Sequence, residues 1–420
     1  MNRIENLLHT LAPKGVEFRK LGDIGEYIRG VTYKKNQEIN NLECGIKVLR
    51  ANNIMLSNHL NFEDIKVINK NVKIRKEQYL KKNDILICAG SGSSEHIGKV
   101  AFINTNFDYV FGGFMGVIRI REVNSRFVYH IFTSNIFKQY LEKSLNTTTI
   151  NNLNANILQN FLIPIPPLEI QQEIVKILDA FTELNTELNT ELKARKKQYQ
   201  YYQNMLLDFN DIHSNHQDAK ERLVQKTYPK NLKTLLQTLA PKGVEFRKLG
   251  EVCEIIRGKR VTKKEILDKG KYPVVSGGIG FMGYLNEYNR EENTITIAQY
   301  GTAGFVNWQN QKFWANDVCF SVIPKETLIN RYLYYVLTNM QNYLYSISNR
   351  SAIPYSISSN NIMQITIPIP PLEIQQEIVK ILDQFLALTT DLSAGIPAEI
   401  KARKKQYEYY REKLLTFKPL

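Results

Sequence analysis

IPIPPLEIQQEIVKILD, residues 163–179, returns without a change as residues 367–383, and this pair decides the fold. After Pro166-Pro167 and their second copy a long helix is expected. In the first copy its apolar and aromatic positions run Ile177, Phe181, Leu184, Leu188 and Leu192, then past Arg195 to Tyr199, Tyr202, Leu206 and Phe209. The steps alternate 4 and 3, the period of a coiled-coil seam, except for one 4,4 stutter inside TELNTELNTEL, residues 182–192. From Leu168 to Phe209 such a helix would span about 60 Å, a strut rather than a core helix. The second copy carries Ile381, Phe385, Leu388 and Leu392, and resumes at Ile400, Tyr407, Tyr410, Leu414 and Phe417. Gly395 and Pro397 stand between these runs and predict a kink or break.

Working outward, more of the chain proves to be copied. TLAPKGVEFRKLG occurs at residues 10–22 and again at 238–250, and the register continues through Arg29-Gly30 and Arg257-Gly258. KARKKQYQYY from Lys193 has its counterpart in KARKKQYEYY from Lys401. Ile4, Leu7, Leu8 and Leu11, then Leu232, Leu235, Leu236 and Leu239, give a short amphipathic helix before each half, stopped by Pro13 and Pro241. Residues 33–160 and 263–364, in contrast, share little. The chain is a tandem duplication in which a frame is copied and two inserts differ. The inserts read as mixed α/β: β-prone runs at 84–88, 100–103, 117–120, 294–298 and 317–322, with a helical stretch at 127–143 or 330–345.

The chain has 420 residues, 43% of them hydrophobic and 23% charged, enough for two packed domains plus connecting structure. The net charge of +14 favours a polyanionic partner. Cys44, Cys88, Cys253 and Cys319 form no CxxC pair, so reduced thiols in the cytoplasm are expected rather than a disulfide or zinc framework. His213 and His216 lack the surrounding ligands of a metal site. No run reaches the ~20 apolar residues of a membrane span, and MNRIENLLHTLAPKG holds no signal-peptide core; no membrane partner is expected.

Variable domain, IPIPPLEIQQEIVKIL helix, second variable domain and the same helix again: this plan resembles the specificity subunit of type I restriction-modification systems. The resemblance implies two target recognition domains of mixed α/β fold, separated by two long helices that pair as an antiparallel coiled coil with pseudo-two-fold symmetry. The corresponding division is a short helix at 1–13, a first recognition domain at 14–165, a spacer helix at 166–212, a linker and short helix at 213–240, a second recognition domain at 241–369 and a distal spacer helix at 370–420. It further implies that each domain reads one half of a split site in double-stranded DNA. Two methyltransferase subunits would dock on the helices and endonuclease-translocase subunits would join them, in a bacterial or archaeal cytoplasm. S-adenosylmethionine, ATP and magnesium would then be bound by the partners, with no cofactor on this chain. The residues agree that the chain is no enzyme: GSSEHIGKV from Gly92 fails as a phosphate loop, having one residue too many before Gly98-Lys99 and Val100 where Ser or Thr should stand. No Asn-Pro-Pro-Tyr tetrapeptide occurs.

Base edges are read by side chains that donate and accept hydrogen bonds, presented beside cations that meet phosphate. In the first insert the candidates are Arg29, Lys34 and Lys35, the loop residues Ser91, Ser93, Ser94, His96 and Lys99, and the tract Asn146, Thr147, Thr148. In the second they are Arg257, Lys259 and Arg260, then Ser276, then Tyr300 and Thr302, then Asn349, Arg350 and Ser351. For spacing and subunit docking the candidates are Glu183, Glu187 and Glu191, the basic run Lys193, Arg195, Lys196 and Lys197, and its copy Lys401, Arg403, Lys404 and Lys405. A different reading makes the chain a coiled-coil scaffold holding two interaction domains, without sequence-specific DNA binding. Steep loss of DNA affinity with salt separates the two.

Overall fold

Leu168–Leu207 is one unbroken helix of 40 residues in the computed structural model, which describes residues 2–40, 43–91, 96–145, 153–209, 228–390 and 394–420. The distal copy is two helices, Leu372–Thr390 and Ile396–Leu415, with Gly395 in the turn between them and Pro397 inside the first turn of the second. Proline is tolerated there because the first-turn N–H groups have no intrahelical partner. The short helices form as Asn2–Leu11 and Lys230–Leu239.

The chain divides into two units, Met1–Asn189 with Glu399–Leu420, and Thr190–Ala398. In the first unit, Glu17–Lys20 pairs antiparallel with Leu162–Ile165, so the copied VEFRK and IPIP segments close the frame around the insert. Within the insert lies a four-stranded antiparallel sheet, in the order Gly25–Arg29, Met115–Ile120, Ile85–Cys88, Val100–Phe102. Its central strand Ile85–Cys88 is wholly buried, which is why it reads as an uninterrupted apolar run. A second sheet has the order Glu38–Ile39, Lys66–Ile68, Ile46–Leu49, Tyr109–Phe111, its last pair parallel.

The second unit repeats this plan. Glu245–Lys248 pairs with Thr366–Ile369, and Cys253–Arg257, Cys319–Pro324, Thr294–Ala298 and Val306–Gln309 form the antiparallel sheet in that order. Tyr284–Leu285, Tyr272–Val275 and Trp314–Ala315 form the other, again with a parallel pair. Inserts with little shared sequence therefore share a strand order. Asn83 and Asn293 take the same left-handed backbone (φ 72° and 57°) just before the central strand, a conformation asparagine tolerates better than most residues. Each expected helical stretch is two helices, Ser125–Phe132 and Asn135–Leu145, then Asn330–Asn339 and Gln341–Ser346. At the first break the Thr133 and Ser134 hydroxyls donate to the carbonyls of His130 and Ile131 (2.9 and 2.7 Å), competing with the helical ladder.

The copied motif acts as an anchor. Buried Gln171 donates to the Pro166 carbonyl (2.7 Å) and accepts from the Asn124 N–H (3.0 Å); Gln375 donates to Pro370 (2.7 Å) and accepts from Ile329 (2.8 Å). At the end of the motif, Asp179 accepts from Arg126 at 2.8 Å, as Asp383 does from Arg331 at 2.8 Å. A second donor completes each carboxylate: His130 Nε2 at 2.9 Å from Asp179, and the Tyr335 hydroxyl on Asp383. Each insert is thus tied to the helix that follows it by a glutamine and an aspartate that the two halves share.

Each copy's helix begins in its own unit and ends in the other. Leu206, Leu207 and Phe209 lie in the second unit's core with Ile374, Ile378 and Leu382, while Leu414 and Leu415 lie in the first unit's core with Ile170, Ile174 and Leu178. Phe181 stacks on Tyr410 (5.6 Å, 26°) in the first unit, and Phe385 on Tyr202 (5.0 Å, 26°) in the second. Partner numbers fall as those of the central helix rise, so the helices pair antiparallel. Within the TELN tract the seam takes in both Leu184 and Asn185, each half-buried, and Leu188 is buried.

Candidate nucleic-acid interface

Arg29 and Arg257 end equivalent strands, and the glycine after each is forced by close backbone approach. A Cβ on Gly30 would run into the carbonyls of Phe111 and Gly112, and one on Gly258 into those of Ala315 and Asn316. The Gly30 N–H donates to Met115 (3.0 Å) and the Gly258 N–H to Cys319 (2.9 Å). Hence Arg-Gly persists where the sequence around it diverges.

In the first domain a hollow of 980 Å³ gathers Arg29, Lys35, Ser91 and His96, four of the expected residues, with Thr32, Tyr33, Arg50, Asn52 and Phe114. Arg50 and Asn52 share the Asp64 carboxylate, each donating at 2.7 Å. Arg50 Nε and His96 Nδ1 are buried without a hydrogen-bond partner. Lys34 is exposed, at the start of a turn in which its N–H donates to Gln37 (2.7 Å). Lys99 turns inward: its ammonium donates to the carbonyls of Ala51 (3.0 Å) and Ile54 (2.5 Å), and burial lowers its pKa. It holds the turn that carries Asn52. Ser93, Ser94, Asn146, Thr147 and Thr148 lie outside the described residues, as do His213 and His216.

In the second domain the separate candidates meet. Thr302 donates to the Gly277 carbonyl, from its N–H at 3.0 Å and its hydroxyl at 2.7 Å, and so fixes the turn after Ser276. Tyr300 bridges Ser356, which also bridges Asn349. Asn349 Oδ1 accepts from the Ser351 N–H (3.0 Å), and the Arg350 guanidinium lies over the Tyr345 and Tyr355 rings (5.7 and 5.9 Å). Arg257 Nε donates to the Asp317 carbonyl (2.7 Å), and Lys259 lies 5.9 Å from the Trp314 ring. The Asn316 N–H donates to Val275, next to Ser276, which joins this basic corner to the rest. Arg260 is exposed.

The helical candidates differ in setting. Glu183, Glu187, Glu191, Lys193, Lys196 and Lys197 are exposed, as are Lys401, Lys404 and Lys405. Arg195 pairs with Glu191 (3.5 Å) and Arg403 with Glu399 (3.6 Å), one turn apart in each case.

Sequence reading missed Arg50, Asn52 and Phe114, although the glycine pair before Phe114 marks a turn. Among the described residues no cluster of three or more His, Cys, Asp or Glu could hold a metal ion, and no helix is long and apolar enough to cross a membrane.

Residues 13–197 and 241–402 both match the type I restriction modification DNA specificity domain. The chain belongs to the type I specificity-subunit family. A putative type I restriction enzyme specificity subunit of Haemophilus influenzae is 29% identical over 377 residues, covering 83% of this chain and 86% of that one. A putative type I specificity subunit of Mycoplasma pneumoniae is 32% identical over 261 residues, 61% of this chain and 95% of its own. Among solved structures, the S subunit from M. genitalium aligns over 96% of both chains with a TM-score of 0.58 at 18% identity. A chain from a study of complex assembly and conformational transition in the type I system aligns at 0.59 and 16%, over 96% of this chain and 98% of that one. As a specificity subunit the protein is a non-catalytic member of its complex, and its two recognition domains read the two halves of a bipartite target.

Proposed function

We propose that the patch around Arg29, Arg50 and His96 reads one half-site and the patch around Arg257, Tyr300 and Arg350 the other. The exposed basic runs from Lys193 and from Lys401 would meet phosphate or the docked methyltransferase subunits. Two such subunits, and endonuclease-translocase subunits beyond them, would carry S-adenosylmethionine, ATP and magnesium, in the cytoplasm of a bacterium or archaeon. The observation that carries this reading is one scaffold built twice with unlike residues at the same Arg-Gly corner. Unlike domains give an asymmetric site, where a symmetric dimer would read a palindrome. The antiparallel helices would set the distance between half-sites.

The test is a map of methylated adenines in the host genome with the gene, without it, and with residues 30–160 exchanged for those of a related subunit. One bipartite motif should vanish without the gene, and the exchange should rewrite one half of it. A motif that survives removal of the gene, or changes in both halves on exchange, defeats the proposal.

A further inference from the structure

Phe114 stands at the tip of a turn closed by the Met115 N–H donating to Gly112 at 2.8 Å, and its side chain is 72% exposed. Its carbonyl accepts from the N–H groups of both Ala89 and Gly90 at 2.9 Å, so the backbone under the ring is held from a second strand. Yet the ring joins none of the hydrophobic clusters among the described residues. It is a fixed apolar tip, not a side chain left over from a core.

Its position gives it a use. Phe114 forms a ridge between the 980 Å³ hollow and a second of 620 Å³, and Arg29, Gly90 and Gly113 border both. Arg29 and Lys35 give this surface positive charge, and Arg50, held by Asp64, and His96 line the larger hollow, where Arg50 Nε and His96 Nδ1 are buried without a hydrogen-bond partner. Between such cations an aromatic tip cannot read a base by hydrogen bonding. The apolar feature that a base pair shows in the major groove is the C5 methyl of thymine.

We infer that Phe114 is a specificity-determining residue of the first recognition domain and packs on the C5 methyl of a thymine in its half-site. This rests on the DNA-reading function proposed above. The second domain closes the matching turn with the Cys319 N–H donating to Asn316 at 3.0 Å, but presents Asp317 and Val318, both half-buried. The contact therefore belongs to one half-site only.

The test uses the full chain assembled with its methyltransferase subunits and a duplex carrying its methylated motif. Each thymine of the first half-site is replaced in turn by deoxyuridine, which lacks only the methyl group. One replacement should weaken equilibrium binding about fourfold, the factor for one buried methyl. Phe114→Ala should bind the thymine duplex less tightly and no longer separate thymine from deoxyuridine. Phe114→Leu should keep part of the discrimination, and both variants should unfold at the wild-type temperature. Replacements in the second half-site should affect wild type and variants alike. If no thymine of the first half-site discriminates, or if Phe114→Ala retains full discrimination, the inference is overturned while DNA reading stands. Absence of any motif-specific binding by the wild-type complex would overturn both.

Discussion

At the seat of the first recognition domain, Asp179 is held by Arg126 and His130; at the seat of the second, Asp383 is held by Arg331 and Tyr335. The carboxylate and the arginine are kept and one donor has changed. At the proposed reading surfaces the difference is larger. The first domain raises Phe114 beside Arg50, whereas the second exposes Ile279, Phe281 and Tyr355 on other loops. The struts differ as well, one continuous and one interrupted. Divergence grows from the helices outward, which is what separate duties demand: the seat must fit a shared strut, and the surface must fit unlike DNA.

The comparison of struts can be broken most severely. Deleting one TELN unit from residues 182–192 would shorten the helix by about 6 Å and rotate its C-terminal part by about 40°. With base pairs ~3.4 Å apart, the unread spacer should contract by one or two base pairs while both half-sites stay as they are. Sequencing of methylated adenines reads this directly, and an unaltered spacer would deny the helix its measuring role.

The comparison of seats is sharpened by Asp179→Ala and Asp383→Ala. Each leaves an arginine and a second polar group without their acceptor, at a cost of about 1–3 kcal/mol. Local hydrogen exchange should rise in residues 125–145 for the first variant and in 330–346 for the second. Equal loosening of both domains by either variant would show that the seats are not independent.

A smaller effect should separate the two seats in acid. Burial pushes the His130 pKa below its ordinary 6.5; Asp179 acts to raise it, and Arg126 and Arg411 to lower it. The neutral ring bonded at Nε2 leaves buried Nδ1 without a partner, so a second proton would have no acceptor. The folded state therefore prefers neutral histidine. The first domain should lose stability as pH falls through and below the unfolded value of about 6.5. Tyr335, whose pKa is raised by burial, stays neutral over that range. Hydrogen exchange, corrected for intrinsic rates and compared at about pH 7.5 and 5.5, should show protection lost in the first domain alone.

How much of this was legible depends on how far apart in sequence the interacting residues lie. The helices, their break at Gly395 and Pro397, and the five β-prone runs came from local pattern, and each run holds a strand. The strand order did not, because it rests on pairings such as Leu49 with Phe111, which no local period records. The same limit governs the site. Arg29 and Arg257 stood out through a repeated dipeptide, while Phe114 joins Arg29 through the antiparallel pairing of Arg29 with Gly116, and Arg50 joins them through the parallel pairing of Leu49 with Phe111. Lys99 misled because a lysine after a glycine-rich loop reads as a phosphate contact, and its two carbonyl acceptors belong to a turn some 45 residues earlier.

Val16 bridges Pro419, and the tail from Leu414 enters the same core as Ile4, just as Leu206 to Phe209 enter the core built on Leu232 and Leu236. Each tail packs with copied residues of the frame and the shared helices, and with core positions of the insert such as Phe127 for one tail and Leu333 for the other. For inheritance this makes the gene a cassette holder. The repeated blocks mark where one coding segment can replace another, and a newly acquired insert arrives with its socket already in place, so a lineage can change which DNA it marks without remaking the machine that does the marking.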